Sequence, residues 1–258
     1  MTDTLFDISG KVALLTGGTS GIGRMLASGL VARGAKTYLT GRDGAQAAAV
    51  AAEVAADGGE CIGLAADLGL PDGPKQLAAQ LAEREASLDL LINNAGGTAE
   101  GSLAKTTVEE WDLVLDVNLR GVFFLTRELL PLLRAAASDE DPARIVNLGS
   151  IGGLHIPNWE AHSYGVSKAA IHHLTRSLAK ALGPDRITVN AIAPGPFHSR
   201  LTDTESEQVR KNVATYIPIG RPGGADDVIG IVTFLASRAG AYVNGSTIPL
   251  DGGYIAAL

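Results

Sequence analysis

Residues 11–34 read KVALLTGGTSGIGRMLASGLVARG, and this stretch decides the fold. Its apolar opening, KVALLTGG (11–18), predicts a short strand running into glycines. GRMLASGLVARG (23–34) then carries helical periodicity to a glycine stop. The same alternation continues outward along the chain. AKTYLTG (35–41) predicts a second strand, followed by the alanine-rich AQAAAVAAEVAADGG, and CIGLAADL (61–68) a third, followed by a helix over KQLAAQLAERE. LDLLINNAGG (88–97), ARIVNLGS (143–150), ITVNAIAPG (187–195) and GSTIPLDGG (245–253) predict four more. Between the fourth and fifth strands, 107–134 reads as helix punctuated by Gly121 and Pro131, and ASDEDPA (137–143) as a solvent-facing turn.

Strands joined by helical crossovers form a parallel sheet covered on both faces, and the near-continuous apolar runs VALL and LDLLI suit that burial. The expected architecture is α/β: a single doubly wound Rossmann domain over 1–258, with about seven parallel strands flanked by helices. The most irregular segment, 196–224, is polar and proline-flanked and follows a strand end, so it is read as a mobile substrate flap.

Gly17, Gly21 and Gly23 fall in the first strand-to-helix turn, where the missing side chains let the backbone approach a pyrophosphate at the positive end of a helix. Their spacing is G-x-x-x-G-x-G. No Gly-Lys-Ser/Thr follows, which argues against a phosphate loop for ATP hydrolysis. Past the second strand, Arg42 is placed to meet the additional phosphate of NADP. The neighbouring Asp43 stands near the distance of a ribose-binding acid, or else caps the next helix or pairs with Arg42.

At the chemical end, Tyr164 and Lys168 lie four residues apart in SYGVSK and share a helical face, with Ser150 upstream near a strand end. A nearby cation favours the ionised phenol, and hydrogen-bond donors aimed at one oxygen stabilise alkoxide character as hydride moves. TGGTSGIG (16–23), Asp67-Leu68, NNAG (93–96), VNLRG (117–121), NLGS (147–150), YGVSK (164–168), Pro194-Gly195 and LDGG (250–253) follow in one order. In these motifs the chain resembles the classical short-chain dehydrogenase/reductase family from Lys11 to about Gly253, and LLPLLRAAASDEDPARIVNLGS is similar to bacterial 3-oxoacyl reductases of the rhamnolipid-synthesis type.

The resemblance implies an NADP-dependent oxidoreductase that transfers hydride between NADP(H), with NAD(H) as the lesser choice, and a ketone or secondary alcohol. A 3-oxoacyl thioester is the leading substrate, with a sugar, polyol or cyclic ketone as the alternative. It implies catalytic roles for Tyr164 as acid-base, Lys168 in lowering the tyrosine pKa and binding ribose, Ser150 in orienting the substrate oxygen and Asn118 in holding a relay water. It implies cofactor contacts from Gly17, Thr19, Ser20, Gly21, Ile22, Gly23, Arg42, Leu68, Asn94, Ala95, Gly96, Tyr164, Lys168, Pro194, Gly195 and Ser199. Asp67 is implied at the adenine edge, its other reading being an N-cap of the following helix, and Asn93 and Ala95 near the adenosine ribose. A homotetramer is also implied. A nucleotide-binding regulatory protein without turnover is the contrasting class.

Composition limits the partners. A formal charge of −7 without a basic cluster argues against nucleic acid. No apolar run is long enough to span a bilayer, and the opening MTDTLFDISGK lacks a signal-peptide pattern, so a cytoplasmic protein is expected. The histidines make no recognised metal spacing, so no metal is expected. The single cysteine, Cys61, is read as an inert thiol. Asp251 is assigned to structure, while His155 and Trp159 fall between Ser150 and Tyr164 at the expected substrate mouth.

Overall fold

The computed structural model describes residues 4–56, 58–156, 159–197 and 215–257. Seven strands form one parallel sheet: β1 (Val12–Leu15), β2 (Lys36–Gly41), β3 (Cys61–Ala65), β4 (Leu90–Asn93), β5 (Ala143–Leu148), β6 (Ile187–Pro194) and β7 (Thr247–Leu250), in the order β3-β2-β1-β4-β5-β6-β7. All seven expected strands form. Most stop short of the sequence estimate.

Helices α1 (Gly21–Val31), α2 (Gly44–Ala55), α3 (Gly73–Ala82), α4 (Val108–Leu115), α5 (Val122–Ala136), α6 (His162–Leu182) and α7 (Ala225–Ala236) cover the sheet. Neighbouring strand residues point to opposite faces, which explains the continuous apolar runs. Leu15, Ile92, Val146 and Ile192 pack with Leu26, Val50 and Val232 of α1, α2 and α7. Leu14, Leu91, Ile145 and Val189 pack with Leu81, Leu129 and Leu182 of α3, α5 and α6. Each such leucine withdrawn from water contributes about 2 kcal/mol. The two outer layers hold the sheet rigid from both sides.

Two details depart from the sequence reading. Pro131 does not break its helix: α5 runs through it, with the proline on the exposed face. Gly121 ends a π-helical turn, Asp116–Gly121, that joins α4 to α5. That turn is anchored to the third strand's exit, because Arg120 pairs with Asp116 at 2.8 Å and donates to the Gly69 carbonyl at 2.5 Å.

A buried cation ties the sheet to α7. Arg144, 1% exposed on central strand β5, donates from Nε to the Leu235 carbonyl and from Nη2 to the Ser237 carbonyl, both at 3.0 Å. These are C-terminal groups of α7 that have no intrahelical donor. Asp141 accepts from the same guanidinium at 3.1 Å and from Lys11 at 2.5 Å, so the solvent-facing turn at 137–143 is itself anchored. Arg144→Met strands the Leu235 carbonyl, leaves the Ser237 carbonyl with the Gly240 amide alone, and leaves Asp141 with one partner. It is expected to lower unfolding free energy by about 3 kcal/mol, read as a fall in urea midpoint at constant m-value.

Candidate active site

The site gathers where β1 and β4 separate toward opposite halves of the sheet, beyond the carboxyl ends of the strands. Gly17 and Gly21 have φ of +68° and +52°, which favour glycine. A Cβ on Gly17 would lie 2.8 Å from the Ala95 Cα, and one on Gly23 would lie 2.0 Å from the Gly17 carbonyl oxygen. The cradle is therefore closed to side chains and open to a ligand's phosphates. Ser20 occupies the N-cap position of α1 without capping it through its side chain. Thr19 is half-buried against Gly41, and Ile22 packs partly into the core.

The turn is fastened to β4 by polar groups. Thr16 Oγ1 accepts the backbone N–H groups of Asn94 and Ala95, each at 3.0 Å. Asn94 Nδ2 donates to the carbonyls of Thr16 and Gly17, each at 2.9 Å. Asn94 thus acts as a buttress of the cradle. Asn93 is also turned inward, donating to Asn147 at 2.8 Å, and Asn147 donates to Thr175 at 2.9 Å. Both asparagines hold neighbouring elements together, whereas half-buried Ala95 and exposed Gly96 form the lip beyond β4.

At the β2 exit, Asp43 caps α2: its Oδ1 accepts from Ala45 at 2.9 Å and from Gln46 at 3.1 Å. Of the readings left open for Asp43, the structure shows the helix cap. The carboxylate is committed to the helix start, while Arg42 is exposed with no ion pair among the described residues. At the β3 exit, Asp67 accepts from the Gly69 amide at 2.9 Å and forms a local turn. It does not cap α3, whose N-cap position is Asp72. Leu68 is buried beside Gly121.

Tyr164, Lys168 and Ser167 come from the first turns of α6, and Ser150 from the turn after β5. Lys168, 6% exposed, donates to the Leu148 carbonyl at 2.7 Å and lies 5.6 Å from the centre of the Tyr164 ring. Its burial pushes the ammonium pKa down to about 8. Ser150 Oγ accepts from the Gly152 amide at 3.0 Å. A Cβ on Gly152 would lie 3.4 Å from Ser150 Oγ and 3.6 Å from Tyr164 Cε1, so both hydroxyl-bearing residues border one small space. Burial raises the Tyr164 pKa, and Ser150 works against that rise.

Asn118 belongs to the π turn. Its Nδ2 donates to the Gly97 carbonyl at 2.9 Å and to Ser167 Oγ at 3.0 Å, while its Oδ1 accepts from the Gly97 amide at 2.8 Å. Ser167 in turn donates to the Tyr164 carbonyl at 2.7 Å. This bridge from the π turn to the base of Tyr164 is absent from the sequence reading. The signal was available, since serine three residues after Tyr164 can bond back to that carbonyl.

Pro194 ends β6, and Gly195 packs so close to Asp251 that a Cβ there would lie 2.8 Å from the Asp251 Cβ. Asp251 accepts from Gly253 and Ile255, each at 2.9 Å, in keeping with its structural assignment. Ser199 and most of the expected flap, 198–214, lie outside the described residues; the segment's ends meet where Phe197 bridges Gly223. Trp159 lies 5.7 Å from Tyr164 ring to ring, and His155 lies 5.3 Å from Tyr254. Burial pushes the Cys61 thiol pKa up to about 11, which fits an inert residue.

A family model described as "Enoyl-(Acyl carrier protein) reductase" matches residues 17–255. The rhamnolipids biosynthesis 3-oxoacyl-[acyl-carrier-protein] reductase of Pseudomonas aeruginosa is 42% identical over 251 residues, spanning 96% of this chain and 98% of that protein. The solved Pseudomonas aeruginosa RhlG/NADP active-site complex aligns with a TM-score of 0.93 at 42% identity, over 97% of this chain and 98% of that one. A short-chain dehydrogenase from Burkholderia cenocepacia J2315 in complex with NADP aligns at 0.88 and 34% identity, over 96% and 99%.

The lowered pKa of Lys168 has a sign that can be tested. Between about pH 8 and the ordinary lysine value of 10.5, the unfolded chain binds more protons than the native one, so this residue makes stability rise with pH. That contribution is present above the ordinary value and is lost as pH falls through about 8. Lys168→Met is expected to flatten the stability profile across this window in urea titrations at stepped pH, and an unchanged slope would contradict the buried ammonium.

Proposed function

The chain belongs to the short-chain dehydrogenase/reductase family, and from this we propose that it reduces 3-oxoacyl thioesters to 3-hydroxyacyl thioesters with NADPH. The single observation that carries the chemistry is the small space bordered by Ser150 and Tyr164, with Lys168 buried beside the tyrosine. When bound, NADPH supplies the hydride. Hydride addition to a ketone carbon places negative charge on its oxygen, and two hydroxyl donors at that oxygen stabilise it. Ser150 orients the oxygen, and Tyr164 gives it a proton. A phenol whose pKa is raised by burial remains protonated and is suited to the reductive direction.

The residues present fit the cofactor. Gly17 and Gly23 leave the pyrophosphate cradle, Ala95 and Gly96 supply its β4 side, and Gly96 lies close to Lys168, with 3.6 Å from a built Cβ to Nζ. Asp43 is committed to α2, which leaves Arg42 to meet the adenosine phosphate. Asp67 keeps a partly exposed carboxylate at the β3 exit for the adenine edge. Asn118 fixes the π turn against α6, where its role in the proton path is assigned by family resemblance.

The substrate class draws support from the named relative and from the mouth. Leu154, Ile156 and Trp159 stand exposed between Ser150 and Tyr164, with Ile156 93% exposed. An apolar chain covers such side chains better than a polyol does. We further propose a single-domain enzyme that works in the cytoplasm as a homotetramer without nucleic-acid or membrane partners. The charge of −7 supports the view on nucleic acid. No helix among the described residues is long and apolar enough to cross a membrane.

Purified protein mixed with NADPH and a 3-oxoacyl thioester, followed by nicotinamide absorbance, is expected to show turnover. Failure with thioesters and with other ketones, despite intact NADPH binding, would favour a nucleotide-binding regulator. Tyr164→Phe is expected to lower kcat by about 10²–10⁴-fold while NADPH affinity holds. Arg42→Ala is expected to reduce the NADPH-over-NADH preference by about 10–100-fold, the loss of one charge-assisted contact. Asp43→Ala is expected to cost about 1 kcal/mol of stability and leave that preference intact; a collapse of preference there would reassign the ribose contact to Asp43.

A further inference from the structure

His172 lies four residues beyond Lys168 on the same buried face of α6 and has no part in the chemistry above. It is 3% exposed and sits beneath the turn that carries Ser150. The ring nitrogen Nε2 accepts from the Ser150 backbone N–H at 3.4 Å, which places the proton of a neutral imidazole on Nδ1. The surrounding backbone is shaped around the ring. A Cβ on Gly149 would lie 2.1 Å from Nε2, and one on Gly153 would lie 2.9 Å from Cε1. Gly149 therefore leaves the space that the imidazole fills, while Gly153 lets the turn press against the α6 backbone at Lys168 and Ala169 as well as the ring.

The charge state suits an acceptor. Burial pushes the His172 pKa down to about 4, and the Lys168 charge adds to that fall. A charged imidazolium has donors on both nitrogens and would turn Nε2 from partner to opponent of the Ser150 amide. Ser150 is thus fixed from two directions. His172 holds its amide, and its Oγ accepts the Gly152 amide at 3.0 Å, which leaves the hydroxyl hydrogen to be directed into the site.

We propose that His172 is a positioning residue for Ser150: its neutral ring holds the Ser150 amide and so sets the direction in which the Ser150 hydroxyl meets the substrate oxygen. This rests on the reading of Ser150 as the residue that orients a carbonyl. His172 touches neither substrate nor cofactor in this scheme. A side chain that only filled space would serve equally well without an acceptor, and that contrast defines the test.

Three variants separate the two roles: His172→Leu, which keeps bulk and removes the acceptor; His172→Gln, which offers an amide oxygen; and Ser150→Ala as a background. Activity is read as kcat on whichever ketone the wild type reduces fastest, so failure of the thioester assignment leaves the comparison intact. Amide hydrogen exchange over 149–153 is read by mass spectrometry, which requires no turnover. His172→Leu is expected to lower kcat by about 10–100-fold with the KM for NADPH unchanged, and to speed exchange in that segment. His172→Gln is expected to recover most of both. In the Ser150→Ala background, His172→Leu is expected to remove nothing further from kcat. Equal impairment of the Leu and Gln variants, an additive loss in the Ser150→Ala background, or unchanged exchange in His172→Leu overturns the proposal. If no ketone is reduced by the wild type, the function reading fails and exchange alone decides whether His172 holds the turn.

Discussion

The close approach of the first and fourth strand exits governs this molecule. Gly17 and Ala95 pass so near that a Cβ on Gly17 would fall 2.8 Å from the Ala95 Cα. Thr16 and Asn94 hold that approach with four hydrogen bonds. Strand order reverses at this point, so β1 leads toward β2 and β3 while β4 leads toward β5 through β7. A crevice opens where the connecting helices diverge to either side. The nucleotide cradle and the catalytic face then meet across it, with Gly96 beside Lys168.

The catalytic half depends on one long helix whose buried face is unusually polar. Ser163, Ser167, Lys168, His172 and Thr175 of α6 are all buried. Polar groups withdrawn from water are strongly destabilising unless they are partnered, so this face specifies its surroundings. Lys168 finds the Leu148 carbonyl, Ser167 finds Asn118, and Thr175 finds Asn147. These bonds fix the helix against two elements, β5 at its end and in its body, and the π turn. The position of Tyr164 follows from these contacts, which act below it and leave its hydroxyl beside Ser150.

Most of the scaffold was legible in the sequence because its signals are local. Apolar runs, most of them ending in glycine, marked every strand, and the spacing of Tyr164 and Lys168 placed them on one face. Pro131 misled because a proline ring on an exposed helix face removes one hydrogen bond without forcing the backbone apart. Asp43 was ambiguous because its three readings, ribose-binding acid, helix cap and partner of Arg42, are compatible with the same spacing, and only the Ala45 and Gln46 amides show the cap. Asp67 was weighed as a helix cap, yet α3 begins several residues later and the carboxylate turns to Gly69. The environment of Tyr164 was illegible for a different reason. A sequence displays the charge that stands nearby but not the depth of burial that opposes it.

The sequence by itself determined the alternation of strand and helix, the glycine turn, and the set of groups able to move a hydride and a proton. These rest on backbone propensity and on helical spacing, which act over a few residues. The tertiary structure alone decided which polar groups are committed to architecture and which remain for chemistry. Asn94 became a buttress, Arg42 was left exposed, Ser167 became a bridge and His172 came to lie beneath Ser150. Those outcomes require partners from strands and helices distant in the chain. Packing brings such partners together, and burial then makes each hydrogen bond between them obligatory.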